Sequence, residues 1–132
     1  GTAVPPMLGV RGLAALTVTD TDTAVALRSG EVPTLATPRL VALLEEATVS
    51  ALDGYLGKGE TSVGMRVHID HLAPSAPGSL VDAEVVLEAV EGRRLTFAGT
   101  ARVGDDVVAR ATIVRVVVET DRFLDRVTGG AD

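Results

Sequence analysis

The spacing of apolar residues changes from a helical to a strand period between Thr37 and His71, and this change constrains the fold more than any other feature. The run that begins TPRLVALLEEA places leucine, valine or alanine on almost every side of a helix, a pattern typical of a helix buried nearly all round. We expect this helix to extend from Thr37 to about Leu56. Thr37 followed by Pro38 is a favourable start, because a threonine oxygen caps free amides and proline suits the first turn.

Glu45 is the residue of this apolar helix that packing alone does not explain. Removing an ionised carboxylate from water costs on the order of several kcal/mol unless it is paired or neutralised, so Glu45 needs a partner or a chemical role. Glu46 beside it fits a solvated side of the helix. The alternative is that the helix is less buried than its composition indicates and that Glu45 is a partly exposed surface acid.

The segment GETSVGMRVHIDHLAP has the alternating pattern of a strand from Thr61 onward. Strict alternation places His71 in the apolar row and places Gly64 and His68 in the polar row on the other face. A histidine in an apolar row is either a hydrogen-bonded core residue or a functional base, and the pattern alone leaves both open. Gly64 is consistent with a β-bulge or a close approach of another group.

Three more strands are predicted over 81–89, 95–103 and 107–118, and an earlier one over 13–19. Short reversals join the last three, which implies an antiparallel meander. One long helix ahead of long antiparallel strands indicates an α+β fold, with a sheet curled around a central helix. The last strand has valine on both faces, so we expect its outer face to be partly buried, most simply by a homodimer.

Composition narrows the classes of function. A chain of 132 residues with a net charge of −6 predicts one domain and disfavours nucleic-acid binding. Zero cysteines and only two histidines disfavour disulfides and closed zinc sites, so no metal is expected. The sequence has neither a leader pattern nor an apolar run long enough to span a bilayer, and we expect a cytoplasmic protein without a membrane partner. The predicted organisation is a flexible N-terminal segment over 1–9, a domain over 10–127 and a polar tail over 128–132.

The phrases TPRLVALLEEA, GETSVGMRVHIDHLAP and VEGRRLTF, together with the late Arg115, resemble the fluoroacetyl-CoA thioesterase family of hotdog-fold thioesterases. The resemblance covers most of residues 8 to 126. It implies a hotdog fold and hydrolysis of a short acyl-CoA thioester, with no cofactor because coenzyme A is part of the substrate. It also implies a homodimer whose active sites lie near the subunit interface.

The resemblance implies specific roles for site residues. Thr37 matches the catalytic threonine of the family, Glu45 its acid on the central helix and His71 its histidine. Gly64 matches a substrate-binding glycine beside the acyl group, and Arg115 matches an arginine near the bound thioester. Without the resemblance, Thr37 reads as a helix cap and Arg115 as a solvated strand residue.

Thioester hydrolysis requires a nucleophile, a proton acceptor and donors for the developing oxyanion. We expect His71 to be the general base, Glu45 to orient it or to act on water or on the carbonyl itself, and Thr37 to be the nucleophile or a polar anchor. Eight residues of helix separate Thr37 from Glu45 by roughly 12 Å. The constellation is therefore completed either by the substrate between them or by a partner subunit, and we favour the interface.

The segment 20–36 departs from the family, because it lacks the aromatic residues that cover the small acyl group in the fluoroacetate enzyme; Arg28 and Glu31 occupy it instead. We therefore expect a broader acyl preference without fluoroacyl specificity. The phosphates of coenzyme A would be held by arginines such as Arg93, Arg94 or Arg115. Two alternatives remain: a hotdog hydratase or dehydratase, and a non-catalytic acyl-CoA binding module.

Overall fold

The computed structural model describes residues 8–128. Most of the predicted flexible segment 1–9 and of the polar tail 128–132 therefore lies outside the described residues. The secondary-structure elements, in chain order, are β1 (Arg11–Thr17), a single 3-10 turn (Asp20–Asp22), α1 (Ala24–Leu27), α2 (Thr37–Ala51), β2 (Glu60–His71), β3 (Leu80–Glu91), β4 (Arg94–Val103), β5 (Asp106–Glu119) and α3 (Thr120–Asp125).

The strands form one five-stranded antiparallel sheet in the order β1-β3-β4-β5-β2. The predicted meander is β3-β4-β5, and it is confirmed. Helix α2 packs against one face of the sheet, so the predicted α+β arrangement is also correct. Among the strands described, β1 and β2 are the two edges, because each has a partner on one side only.

The core lies between α2 and the sheet. Leu40, Leu43 and Leu44 of α2 are fully buried, as are Phe97 and Ile113 on the sheet. Shortening a buried leucine of this kind to alanine typically costs about 2–5 kcal/mol. This packing fixes α2 on the sheet, and with it the residues that α2 carries.

Helix α2 is not buried all round in the single chain, contrary to the sequence-based expectation. Glu46 and Ser50 are exposed, and Val49 is 54% exposed. The helix has only one sheet face to pack on, and nothing else within residues 8–128 covers its outer side. The prediction that Glu46 faces solvent is correct.

The predicted end of α2 near Leu56 is wrong, because the helix ends at Ala51. The chain turns over the next residues, and Gly54 adopts a left-handed φ of +84°. Leu52 is buried and Leu56 packs against the core even though neither is helical. The apolar pattern therefore continues beyond the helix, which is why it overestimates the helix length.

Gly12 lets β1 lie directly on the backbone of α2. A Cβ atom at this position would overlap the carbonyl oxygen of Ala47 and approach Ala51 within 2.7 Å. The strand runs over Arg11–Thr17 rather than 13–19, so it includes this glycine. A close approach of two backbones thus positions the C-terminal half of α2.

A β-bulge in β2 corrects the predicted assignment of residues to faces. The register with β5 passes from Gly64 opposite Arg115 to Arg66 opposite Val114, so Met65 is the extra residue. One extra residue reverses the alternation, and Gly64 and His71 consequently both face α2 rather than opposite sides of the sheet.

The valines of β5 are only partly covered within the single chain. Val108 and Val114 are buried within the single chain, whereas the others are half-buried, namely Val107, Val116, Val117 and Val118. Two of the six therefore need no second subunit to cover them.

In the part of the chain that the structure describes, no helix has the length and apolar character needed to cross a membrane.

Candidate active site

The structure brings Thr37 and His71 into direct contact. Thr37 is the first residue of α2 and is exposed, and His71 is the last residue of β2. Thr37 Oγ1 lies 2.8 Å from His71 Nδ1. Ala36, not Thr37, occupies the N-cap position, and its side chain makes no capping hydrogen bond. The expectation that Thr37 caps the helix is therefore wrong, because its hydroxyl is directed to the imidazole instead.

Burial favours the neutral form of the His71 imidazole. Desolvation lowers the pKa of His71 below its usual value of 6.5, and the nearby backbone of Ala73 partly opposes this shift. Nε2 is buried and has no hydrogen-bond partner within residues 8–128. When the proton of the neutral ring is on Nε2, Nδ1 accepts the hydrogen bond from the Thr37 hydroxyl. This is the arrangement in which a histidine activates a hydroxyl.

Thr37 and His71 line a cavity of about 400 Å³. One wall comes from the segment between α1 and α2, and the other from the residues that follow β2. The remaining lining residues are uncharged and are Ala24, Ser29, Gly30, Val32, Thr34, Leu35, Leu72, Ala73 and Pro74. The cavity is thus an uncharged pocket with a hydroxyl–imidazole pair in its wall, and it has a volume in the range of small-molecule sites.

Asp22 holds the segment that forms the first wall. Its carboxylate accepts hydrogen bonds from the Thr19 amide at 2.8 Å and from Arg39 Nε at 3.2 Å, and its carbonyl accepts the Ala36 amide at 2.9 Å. The backbone hydrogen bond from Thr19 lowers the pKa of Asp22, and Arg39 acts in the same direction. Asp22 was not predicted from the sequence, although its place between threonines is a typical local signal for a capping acid.

A second polar cluster is centred on Arg115, which is buried on the α2 face of β5. Arg115 Nε donates to Ser62 Oγ at 2.8 Å, Nη2 donates to the Ser62 carbonyl at 2.9 Å, and Nη1 lies 3.3 Å from Glu45 Oε2. Burial lowers the pKa of Arg115 and Glu45 opposes this effect, but an arginine remains charged throughout the working pH range. Arg115 is therefore not a solvated strand residue.

Ser62 was not identified from the sequence, where it is one of several small polar residues at the start of β2. The hydroxyl and carbonyl of Ser62 hold one edge of the guanidinium and fix its plane. No motif marks such a residue, and only the pairing of β2 with β5 reveals it.

Glu45 is half-buried, with 34% of its side chain exposed, and Arg115 is the partner that its position in an apolar helix requires. Gly64 makes room for this carboxylate. A Cβ atom at Gly64 would overlap Glu45 Oε2 and approach Arg115 Nη1 within 3.7 Å. Glu45, Gly64 and Arg115 therefore form one contiguous patch.

The single chain places the predicted site residues in two groups. Thr37 and His71 are in contact and line the cavity, whereas Glu45, Gly64 and Arg115 contact one another and do not line it. Both groups face α2, about two helical turns apart. His68, which was predicted to lie in the polar row of its strand, is exposed. Among residues 8–128, no group of three or more histidine, aspartate or glutamate side chains is arranged to hold a metal ion.

Comparisons with known proteins agree with this architecture. Residues 18–121 match the model of the family described as FlK, fluoroacetyl-CoA-specific thioesterase. A fluoroacetyl-CoA thioesterase from Streptantibioticus cattleyicolor is 38% identical over 88 residues, which are 67% of this chain and 63% of the length of that relative.

Solved structures give the same result for the fold. A solved structure of the fluoroacetyl-CoA thioesterase FlK superposes with a TM-score of 0.87 at 30% identity, covering 92% of this chain and 95% of the other. A thioesterase superfamily member from Thermus thermophilus has a TM-score of 0.87 at 25% identity, covering 94% and 92%. A hot-dog-like protein from Thermanaerovibrio acidaminovorans has a TM-score of 0.84 at 31% identity, covering 91% and 89%. The expected hotdog fold is confirmed, and the chain belongs to the family of fluoroacetyl-CoA-specific thioesterases typified by FlK.

Proposed function

We propose that this protein hydrolyses a short acyl-CoA thioester to the free acid and coenzyme A. The observation that carries the proposal is the contact between Thr37 and His71 in the wall of an uncharged cavity of about 400 Å³. Membership of a thioesterase family supports the same reaction class.

In the proposed mechanism, His71 is the general base. In one route, Nδ1 takes the proton from the Thr37 hydroxyl and Thr37 Oγ1 attacks the thioester carbonyl. In the other, Nδ1 takes the proton from an attacking water, while Thr37 keeps its hydroxyl and anchors the carbonyl. The lowered pKa of His71 leaves the ring unprotonated near neutral pH, as a base requires. In both routes the proton then passes from the imidazolium to the departing thiolate. In the first route, a water deprotonated by His71 then hydrolyses the acyl-Thr37 ester, which releases the free acid and restores the hydroxyl.

Glu45 is proposed as a catalytic carboxylate, and Gly64 and Arg115 are proposed to bind the substrate. Arg115 lies 3.3 Å from Glu45 and is fixed by Ser62, so it can present N–H donors to an acyl oxygen without reorganising. Gly64 is exposed, and its missing side chain lets the Glu45 carboxylate lie where an approaching acyl group would meet it. In this assignment, Glu45 orients the histidine, activates water or attacks the carbonyl.

We propose a homodimer in which each active site is completed near the subunit interface. Glu45 of the same chain does not contact His71, and the buried Nε2 of His71 has no acceptor within residues 8–128. The edge strand β2 and the outer side of α2 expose apolar side chains at Met65 and Val49. A second copy packed on this edge would cover them and bring further polar groups to the histidine.

The proposed substrate preference is broader than that of a fluoroacetate enzyme. The described cavity has only Val32, Leu35 and small side chains on the wall between α1 and α2, with no aromatic ring. An uncharged lining suits an uncharged acyl group, because a carboxylate would be desolvated there without a cation. We therefore propose neutral short acyl groups of several kinds as substrates.

The test is the release of coenzyme A thiol from a panel of short acyl-CoA thioesters, including acetyl-CoA and fluoroacetyl-CoA. Thiol release separates hydrolysis from hydration or simple binding, neither of which frees the thiol. We expect turnover of several neutral acyl groups with rates within about two orders of magnitude of one another, since a methylene in a pocket changes specificity by roughly 10–200-fold. Absence of thiol release across the panel would rule out the proposed function.

A further inference from the structure

A second crevice, at the C-terminal end of β5, carries arginines that the proposed chemistry does not use. It has a volume of about 290 Å³ and lies between the end of β5, the β3–β4 turn and α3. Its lining residues are Arg93, Val116, Val117, Val118, Glu119, Arg122, Phe123 and Arg126. Three guanidinium groups and one carboxylate thus surround one small crevice on a chain whose net charge is −6.

The guanidinium groups retain donors for another anion. Arg93 uses Nη1 for both of its contacts, the Val117 carbonyl at 3.3 Å and Glu60 at 3.5 Å. Arg122 uses Nε, 3.6 Å from Glu119. Because the Arg93 and Arg122 side chains are 56% and 83% exposed, these ion pairs contribute little to stability and can rearrange. Guanidinium N–H groups match phosphate oxygens in geometry and charge.

Phe123 adds an aromatic surface to the same crevice. Of the two phenylalanines of the chain, Phe97 is fully buried in the core, whereas Phe123 is half-buried and lines this crevice. Nucleobases stack on aromatic rings and on guanidinium planes whatever their sequence. Phosphate-binding and base-binding groups therefore occur together here.

The distance between the Thr37–His71 pair and this crevice matches the length of an extended nucleotide thioester. His71 pairs across the sheet with Ala109, and Val117 follows eight residues later on β5. At about 3.3 Å per residue the separation is roughly 26 Å. This is comparable to the length of extended coenzyme A from its thiol to its adenine.

We propose that this crevice binds the 3′-phospho-ADP end of coenzyme A, with Arg93, Arg122 and Arg126 on the phosphates and Phe123 beside the adenine. The proposal rests on the proposed function for the identity of the ligand. It also explains how an acidic protein attracts a polyanionic substrate, because a local cluster of cations raises the substrate concentration at the site despite the net charge.

The test compares two substrates with the same acyl group, an acyl-CoA and the corresponding acyl-pantetheine, which lacks the nucleotide and all phosphates. The double variant R122Q/R126Q removes two charges from exposed positions. We expect its KM for acyl-CoA to rise about tenfold at low salt, with kcat unchanged and with acyl-pantetheine kinetics within twofold of the parent. The difference should shrink as salt screens the charges. The matched control is R110Q, which changes an exposed arginine on β5 outside the crevice. This variant should behave as the parent.

Binding of 3′,5′-ADP, measured by calorimetry, tests the crevice without any turnover. The parent and R110Q should bind it, and R122Q/R126Q should bind at least about tenfold more weakly. Failure of the parent to bind, or equal affinity in the double variant, would overturn the crevice assignment while leaving hydrolysis intact. Equal KM changes on both substrates would also overturn it. Loss of 3′,5′-ADP affinity in a protein that releases no thiol would support the crevice and refute the thioesterase function.

Discussion

Thr37 Oγ1 and His71 Nδ1 are 2.8 Å apart although 34 residues separate them in the sequence. The start of α2 and the end of β2 are thereby joined by a hydroxyl–imidazole hydrogen bond. In T37A this bond is lost, and we expect kcat/KM to fall by roughly 10²-fold, a typical cost of removing one group that acts on the reacting carbonyl. T37S, which keeps the hydroxyl, should retain much more activity. Steady-state kinetics check this, and equal losses in the two variants would exclude a role for the hydroxyl.

The pH dependence should follow His71. Desolvation lowers its pKa, so the folded protein binds a proton at His71 less readily than the unfolded chain does. The base form therefore persists in the folded protein below pH 6.5, and the acidic limb of kcat/KM should lie below that value.

The same shift makes the folded state lose stability as the pH falls from 6.5 through the folded-state pKa, since the unfolded chain gains the proton first. Kinetic pH profiles and thermal unfolding in parallel buffers measure the two effects. An acidic limb of kcat/KM that lies above pH 6.5, or one that persists in a His71 variant, would contradict the assignment.

G64A tests whether Glu45 must occupy its observed place. The added methyl group would overlap Glu45 Oε2, the end of a side chain that is 34% exposed and can swing away. We therefore expect a stability change below about 1 kcal/mol but a clear loss of kcat. Chemical denaturation and kinetics separate the two, and unchanged kcat would show that the Glu45 position is not required.

G12A is the contrasting glycine substitution. Its methyl group would overlap the carbonyl oxygen of Ala47, which is backbone and cannot move aside. We expect a loss of roughly 1–3 kcal/mol in the free energy of unfolding, as for other overpacked sites. Urea denaturation measures it, with G64A as the internal comparison. A smaller cost for G12A than for G64A would mean that β1 does not rest on α2 as described.

D22N tests the anchor of the cavity wall. The asparagine amide would place N–H donors against the Thr19 amide or Arg39, at a cost of roughly 1–3 kcal/mol. E84Q is the matched control, because it breaks an exposed pair with Arg11 that is worth about 0–1 kcal/mol. Thermal and urea unfolding should show that D22N is clearly less stable than E84Q. Equal losses would indicate that Asp22 is no more than a surface acid.

Acid should weaken the same anchor. The hydrogen bonds from Thr19 lower the pKa of Asp22, so its contribution to stability is complete above the usual value of 3.8 and is lost as the pH falls through the lower folded-state pKa. The D22N variant should lack this part of the acid transition in an unfolding titration.

The meander and the central helix could be predicted because their hydrophobic patterns repeat over many residues and the turns between strands carry glycine. The end of α2 could not, since Leu52 and Leu56 stay apolar while they pack on the core outside the helix. Residues such as Ser62 also remained hidden, because their roles depend on pairing between distant strands.

The face assignment on β2 failed for a single reason. Met65 is the extra residue of a bulge, and nothing in an alternating pattern marks one inserted residue. The adjacent Gly64 was the available signal, and a bulge was among its predicted interpretations. Glu45 pairs with Arg115, as one interpretation of the sequence predicted, but its side chain is also 34% exposed, as the alternative predicted. Its role in catalysis stays a prediction.

The most direct test of the account compares the rate of thiol release by H71A and by the parent on the acyl-CoA that the parent hydrolyses best. A positioned general base contributes about 10²–10⁴ in rate, so H71A should be slower by a factor in that range while its thermal unfolding stays close to that of the parent. Hydrolysis by a folded H71A protein at the parental rate would contradict the assignment of His71 and the mechanism built on it.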